Sequence, residues 1–187
     1  MLQGNSRFAR GKPERPHQSP DWWKSLTTQH PFACVLGCVD SRVPPELVFD
    51  QGFGDLFTVR SAGETLDEMV IGSIEYGVEH LDIPLVLVLG HSGCGAVDAT
   101  IGYVRGGEAP RGEIMAVVRA IEGTVRATPD HGDAGKFLAA CVAVQCRRMA
   151  SELLARSAIL EHHVKERGVH VQSATYDLRT GTVDVLC

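Results

Sequence analysis

Three residues of strong chemical character, Cys38, Asp40 and Arg42, occupy alternate positions just after the apolar run Phe32 to Leu36. On an extended chain alternate residues share a face, so a thiol, a carboxylate and a guanidinium converge there. Charged groups need partners wherever water is scarce, and such a set rarely serves packing alone. A second set follows the apolar run Leu85 to Leu89, where His91 and Cys94 stand in the turn Gly90-His91-Ser92-Gly93-Cys94. Cys and His are soft-to-borderline donors that suit zinc, and two Cys, one His and one Asp would complete a tetrahedral shell. The candidate ligands are therefore Cys38, Asp40, His91 and Cys94, delivered from two strand ends.

A structural zinc closes all four positions, whereas a catalytic zinc keeps one for water. The closed reading competes with the catalytic one, and Asp40 decides between them. Arg42 lies on the same face and can grip a carboxylate bidentately, which offers Asp40 a partner other than the metal.

The text around these residues resembles the β-class carbonic anhydrases. The resemblance is carried by Gly37-Cys38-Val39-Asp40-Ser41-Arg42-Val43-Pro44-Pro45-Glu46, Phe49-Asp50-Gln51-Gly52, Phe57-Thr58-Val59-Arg60, Glu75-Tyr76 and Gly90-His91-Ser92-Gly93-Cys94-Gly95, and it runs from Gln3-Gly4-Asn5 to Tyr176-Asp177-Leu178. It implies a zinc lyase that interconverts carbon dioxide and bicarbonate by attack of zinc-bound hydroxide. Asp40 and Arg42 would form the family's dyad, in which Asp leaves zinc, pairs with Arg and orients the nucleophile. Thiolates donate more charge than imidazoles, so water at this centre should be acidified less than at a three-histidine carbonic anhydrase site.

By matching position the resemblance also implies substrate-pocket walls at Phe57, Ala62 and Tyr76 and an amide donor at Gln29, supplied from across a dimer. Without it, Phe57 and Tyr76 read as core aromatics. Two departures stand out: Glu64 replaces a frequent Asn, and Val35 replaces the Trp of the bicarbonate-inhibited subgroup. Alternative readings are hydrolysis of carbon disulfide or a related cumulated molecule at the same zinc, and a non-catalytic zinc-bound regulator.

The chain of 187 residues, 44% hydrophobic and 22% charged, suits one domain with a sizeable core. A net charge of -5 argues against a nucleic-acid binder. The N-terminus lacks a signal-peptide apolar region and no apolar run is long enough to span a bilayer, so a cytoplasmic location is expected. Six cysteines without a framework pattern point to a reducing compartment. Cys34, Cys141 and Cys146 read as small buried hydrophobes, and Cys187 as a fraying terminus.

The elements that must position the site follow from periodicity. Residues 1–31, with four prolines, read as a helix over 2–9 and an irregular arm. Trp22 and Trp23 in that arm need cover, and the resemblance implies that it packs on a partner subunit in a homodimer, with a homotetramer as the larger assembly. Strands are expected at 32–36, 55–60, 85–89, 169–176 and 182–186, with a turn over 177–181. Residues 46–49 form at most a helical turn. Helices are expected from a Thr65/Glu68 capping box through Leu81, and over 95–104, 113–126 and 137–154, with Ser157 capping a shorter one. The order implies an α/β fold: a mainly parallel sheet flanked by helices, an antiparallel edge strand, and ligands beyond the carboxyl ends of the strands.

Overall fold

The computed structural model describes residues 1–186; Cys187, expected to fray, lies outside the described residues. Five strands form one sheet: β1 (Ala33–Cys38), β2 (Leu56–Ser61), β3 (Leu85–His91), β4 (His170–Tyr176) and β5 (Val183–Leu186). Their order is β2-β1-β3-β4-β5, parallel throughout except for the antiparallel β4–β5 hairpin at one edge. All six residues of β1 are buried, as a strand covered on both faces requires.

Alternation along the strands divides the core in two. Cys34, Leu36, Val86 and Val88 face one side, against the helices α4 (Glu68–Leu81), α5 (Gly95–Val104), α6 (Ile114–Ala127), α7 (Ala134–Arg156) and α8 (Ala158–Arg167). Val35, Leu87 and Leu89 face the other, where Val43, Val48, Phe49 and Tyr176 pack. That second layer is made by the N-terminal helix α1 (Leu2–Ala9) and the single turn α3 (Pro45–Val48); a further short helix, α2 (Pro20–Ser25), has no buried residue.

The motif Gln3-Gly4-Asn5 is explained by docking of α1 on its own chain. A Cβ on Gly4 would stand 1.9 Å from the Phe49 carbonyl oxygen, so only glycine permits the approach. Asn5, buried, donates to the carbonyls of Val48 and Gly181 and accepts from the Val183 amide at 2.9 Å. Arg7 pairs with the buried Asp50 at 2.7 Å. Further along, Trp22 stacks on His17 with centroids 3.8 Å apart, and the His17 ring meets Asp55 at 2.7 Å. Both tryptophans keep substantial exposure, Trp22 37% and Trp23 46%.

Two local expectations are corrected. Helix α4 is capped by Asp67, whose Oδ1 accepts from the Val70 amide at 2.8 Å, and not by Thr65. Thr65 ends the preceding 3-10 turn (Ala62–Glu64), and its carbonyl accepts from the Ser61 hydroxyl. The arm also contains α2, which begins on Ser19 as N-cap with Pro20 at the first helical position. Ser157 caps α8 as expected, accepting from the Leu160 amide at 3.0 Å. Cys34, Cys141 and Cys146 are free and buried. Among the described residues no helix is long and apolar enough to cross a membrane.

Candidate metal centre

Neighbouring parallel strands β1 and β3 end at the same level, with Gly37 opposite Leu89, so Cys38 and His91 emerge side by side. The chain then turns through Gly93, in the left-handed region at φ 67°, and returns Cys94 as the N-cap of α5. Gly90 is fixed by close approach of α7: a Cβ there would stand 2.3 Å from Cys146 Sγ. These constraints bring Cys38, His91 and Cys94 together with their ligating atoms all within 4.8 Å and all three residues buried.

The donor chemistry fits a metal ion. The two sulfurs lie 3.9 Å apart. His91 Nδ1 faces the Ser92 carbonyl at 3.1 Å and must donate there, since a carbonyl only accepts. Nε2 is left carrying a lone pair, and it is buried without a hydrogen-bond partner. An orphaned imidazole nitrogen facing two sulfurs is the arrangement a soft-to-borderline cation satisfies. The sulfurs share a proton unequally. The Cys94 thiol, against burial, holds Cys38 well below the usual thiol range; its hydrogen bond to Cys38, with burial, pushes Cys94 up.

Asp40 stands beside this group rather than in it. Arg42 grips its carboxylate with Nε to Oδ1 at 3.0 Å and Nη2 to Oδ2 at 2.7 Å, and the Arg42 amide adds a third bond at 2.9 Å. Oδ2 remains 3.9 Å from His91 Nε2. The Arg42 side chain, opposed by partial burial and assisted by its own amide and by His91, holds the Asp40 carboxyl far below the ordinary carboxylate range. The carboxylate is thus ionised, held by its fork, and at the edge of the three-donor cluster.

A family model described as carbonic anhydrase matches residues 33–183, most of the chain and all of this centre. The chain belongs to the β-class carbonic anhydrases. It is 46% identical over 126 residues to Carbonic anhydrase 2 of Mycobacterium tuberculosis (strain ATCC 25618 / H37Rv), a match covering 67% of this chain and 61% of that protein. It is 48% identical over 122 residues to a carbonic anhydrase of Mycolicibacterium smegmatis, covering 65% and 59%. The matched segment therefore spans about three fifths of these relatives' own length. In fold, this β-class member is similar to a tetrameric β-carbonic anhydrase of Sordaria macrospora, with TM-score 0.79 and 21% identity over 99% of this chain and 94% of that one. A Coccomyxa β-carbonic anhydrase in complex with acetazolamide gives TM-score 0.78 at 25% identity, over 99% and 84%.

The four residues expected to line a substrate pocket do not come together within one chain of this β-class member. Ala62 begins the turn directly after β2, whose last residue Ser61 pairs with Cys38, so it stands beside the centre. Phe57 pairs with Cys34, four strand positions earlier, roughly 13 Å along the strand. Phe57 and Tyr76 share a shallow cavity of about 320 Å³ with Glu68, Met69, Gly72 and Ser73. Tyr76 also borders a second cavity, of about 680 Å³, that Gln29 lines. Tyr76 is half exposed and Met69 is 79% exposed, so this is an apolar surface at the far end of β2.

Sequence reasoning missed one group that shapes the centre. Arg60 Nε donates to the Cys38 carbonyl and its Nη2 to the Asp40 carbonyl, both at 2.7 Å, so one guanidinium clamps the backbone on either side of Val39. Its position within Phe57-Thr58-Val59-Arg60 marked it only as part of a matching segment. Glu64, noted as a departure, is buried with φ 54°, and its Oε1 has no hydrogen-bond partner. Burial, and next the Cys38 charge, push its carboxyl well above the ordinary range, so it sits behind the centre as a neutral acid.

Proposed function

We propose that the chain catalyses the reversible hydration of carbon dioxide to bicarbonate and a proton, with zinc held by Cys38, His91 and Cys94. The observation that supports this most is the orphaned His91 Nε2 facing two sulfurs while Asp40 is gripped by Arg42 at the rim. Bound there, zinc would supply a Lewis acid that makes hydroxide available from water at a lower pH than in bulk solvent.

The chain's own residues supply orientation and charge. Asp40 Oδ2 has a lone pair left after the Arg42 bond and lies at the edge of the cluster, so it accepts a hydrogen bond from the attacking oxygen and aims it. Arg42 keeps that carboxylate ionised and turned away from the ligand set. Arg60 holds the carbonyls of Cys38 and Asp40, fixing the ligand and the orienting group in one frame. Water and carbon dioxide together give bicarbonate and one proton, so no further reactant is required. The carboxylate fork also argues against a closed structural site and against a purely regulatory role, both of which would place Asp40 in the ligand set.

The substrate walls complete this reading if a second copy of the chain contributes them. Phe57 and Tyr76, with Gln29 as amide donor, lie on an exposed surface one strand length from their own centre and join Ala62 only across an interface. We therefore assign a homodimer, with a homotetramer as the larger assembly and residues 1–31 forming part of the contact. A reducing cytoplasm suits a centre built on two thiols. Stopped-flow hydration, measured before and after zinc is chelated, tests the proposal. Activity that disappears with zinc and returns on its addition is expected, and activity unaffected by complete zinc removal would sink it.

A further inference from the structure

The ring of His91 presents a lone pair on Nε2 to the two sulfurs only while Nδ1 keeps its proton, so whatever holds the Ser92 carbonyl against Nδ1 also governs the ligand. That carbonyl belongs to the peptide plane between Ser92 and Gly93. Packing at Gly93 does not hold the plane: the residue is exposed, lies in the left-handed region at φ 67°, and a Cβ there would meet nothing within 4 Å. Restraint has to come from Ser92.

Two hydrogen bonds supply it, both from the end of β4 and the connection that follows. The Ser92 amide donates to the Tyr176 carbonyl at 2.9 Å, one step beyond the His91–Tyr176 pair that ends the β3–β4 ladder. Its hydroxyl oxygen accepts from the Leu178 amide, also at 2.9 Å, across 86 positions of sequence. Together they fix the N–Cα–Cβ frame of Ser92, and with it the bond from which the carbonyl projects.

The connection that carries Leu178 is itself tied down. The Asp177 amide donates to the Thr182 carbonyl at 2.9 Å and the Gly181 amide to the Asp177 carbonyl at 2.8 Å, while Asp177 Oδ1 accepts from the amides of Arg179 and Thr180. Asn5 of α1 clamps the far side, donating to the Gly181 carbonyl at 2.8 Å and accepting from the Val183 amide at 2.9 Å. A series of hydrogen bonds thus links α1 to the ring of a candidate ligand.

We propose that Ser92 is a positioning residue for the metal centre: its hydroxyl, by accepting from the Leu178 amide, fixes the frame of the carbonyl that holds His91 Nδ1, and so sets how tightly the centre binds its metal. The inference rests on the reading of Cys38, His91 and Cys94 as ligands. A tie that merely joined the β4–β5 connection to the turn would affect stability and leave the imidazole untouched.

Zinc is the probe, on the full chain, with the His91 Nδ1 proton followed by NMR. Ser92→Ala removes the acceptor, Ser92→Thr keeps it, and Val169→Ala is a buried control before β4, at the opposite end of the sheet. Ser92→Ala is expected to weaken zinc binding by about 10-fold in chelator competition, the lower end of the scale for groups that orient metal ligands. In the zinc-loaded variant the Nδ1 proton should move upfield and exchange faster with water. Ser92→Thr should restore both readouts. Val169→Ala should lower the melting temperature and leave both unchanged. If Ser92→Ala does not fold, exchange of the Leu178 amide in the zinc-loaded wild type carries the test: protection is expected, and the rate of an unprotected amide would overturn the inference. A wild type that binds zinc, joined by a Ser92→Ala variant whose affinity and Nδ1 proton do not move or a Ser92→Thr variant as impaired as Ser92→Ala, would overturn the inference alone. A wild-type chain that takes up no zinc would overturn the metal reading and the inference together.

Discussion

Gly90 is the point at which packing and chemistry meet, and Gly90→Ala tests whether α7 sets the place of His91. The new Cβ would stand 2.3 Å from Cys146 Sγ, 3.1 Å from Val142 Cγ1 and 3.7 Å from Glu64 Oε2. The sulfur contact is roughly 1 Å inside ordinary contact distance, and Cys146 is fully buried in a close-packed core that cannot yield by that much without strain. Overpacking of this kind costs about 1–3 kcal/mol. A cost near ~2 kcal/mol lowers the melting temperature by about 4–8 °C for a chain of this length. Cys146→Ala removes the obstructing sulfur, so Gly90→Ala/Cys146→Ala should be more stable than the sum of the single changes, with a coupling of about 1–2 kcal/mol. Denaturant unfolding of the four proteins measures the cycle, and zinc affinity measured alongside should fall in Gly90→Ala and recover in the double variant. Single changes that simply add would refute the claim that Cys146 is what excludes a side chain at position 90.

Three further outcomes are expected. Arg42→Lys keeps the charge but loses the fork, so hydration should fall about tenfold or more with zinc content unchanged, as stopped-flow rates and metal analysis would show. Asp67→Ala should destabilise the chain by about 1 kcal/mol through loss of the α4 cap, whereas Thr65→Ala should change much less in the same unfolding experiment. Asp50 is held below the usual carboxylate range: burial opposes this, and the amides of Glu14 and Arg15 and the Arg7 side chain overcome it. A lowered folded value means that its contribution is complete above about pH 4 and is lost as pH falls through the folded value. Exchange protection of α1 should therefore drop selectively in acid, and Asp50→Asn should remove that dependence.

The cluster of Cys38, His91 and Cys94, with Asp40 beside it, was legible because its chemistry is local. Cys38, Asp40 and Arg42 share a face by alternation alone, and the continuous apolar runs before Cys38 and His91 announced buried parallel strands. The start of α4 was misread because two residues with capping side chains, Thr65 and Asp67, lie two apart, and the preceding turn uses the Thr65 carbonyl. Helix α2 was hidden by prolines that read as breakers, although Ser19-Pro20-Asp21 is also a helix start. Arg60 acts on the backbone carbonyls of Cys38 and Asp40, 22 and 20 positions away in sequence, and no spacing rule reaches that far. Glu64 was visible as a departure, but its burial and left-handed backbone arise from tertiary packing around the turn, which no local pattern encodes.

The central claim is an open metal centre in which Arg42 holds Asp40 off the ligand set, and a crystal structure of the zinc-loaded chain at alkaline pH tests it most directly. The expected result is zinc on Cys38, His91 and Cys94 with the Asp40 carboxylate still in the Arg42 fork. Asp40 bound to zinc as the fourth ligand at that pH, with the fork broken, would contradict it.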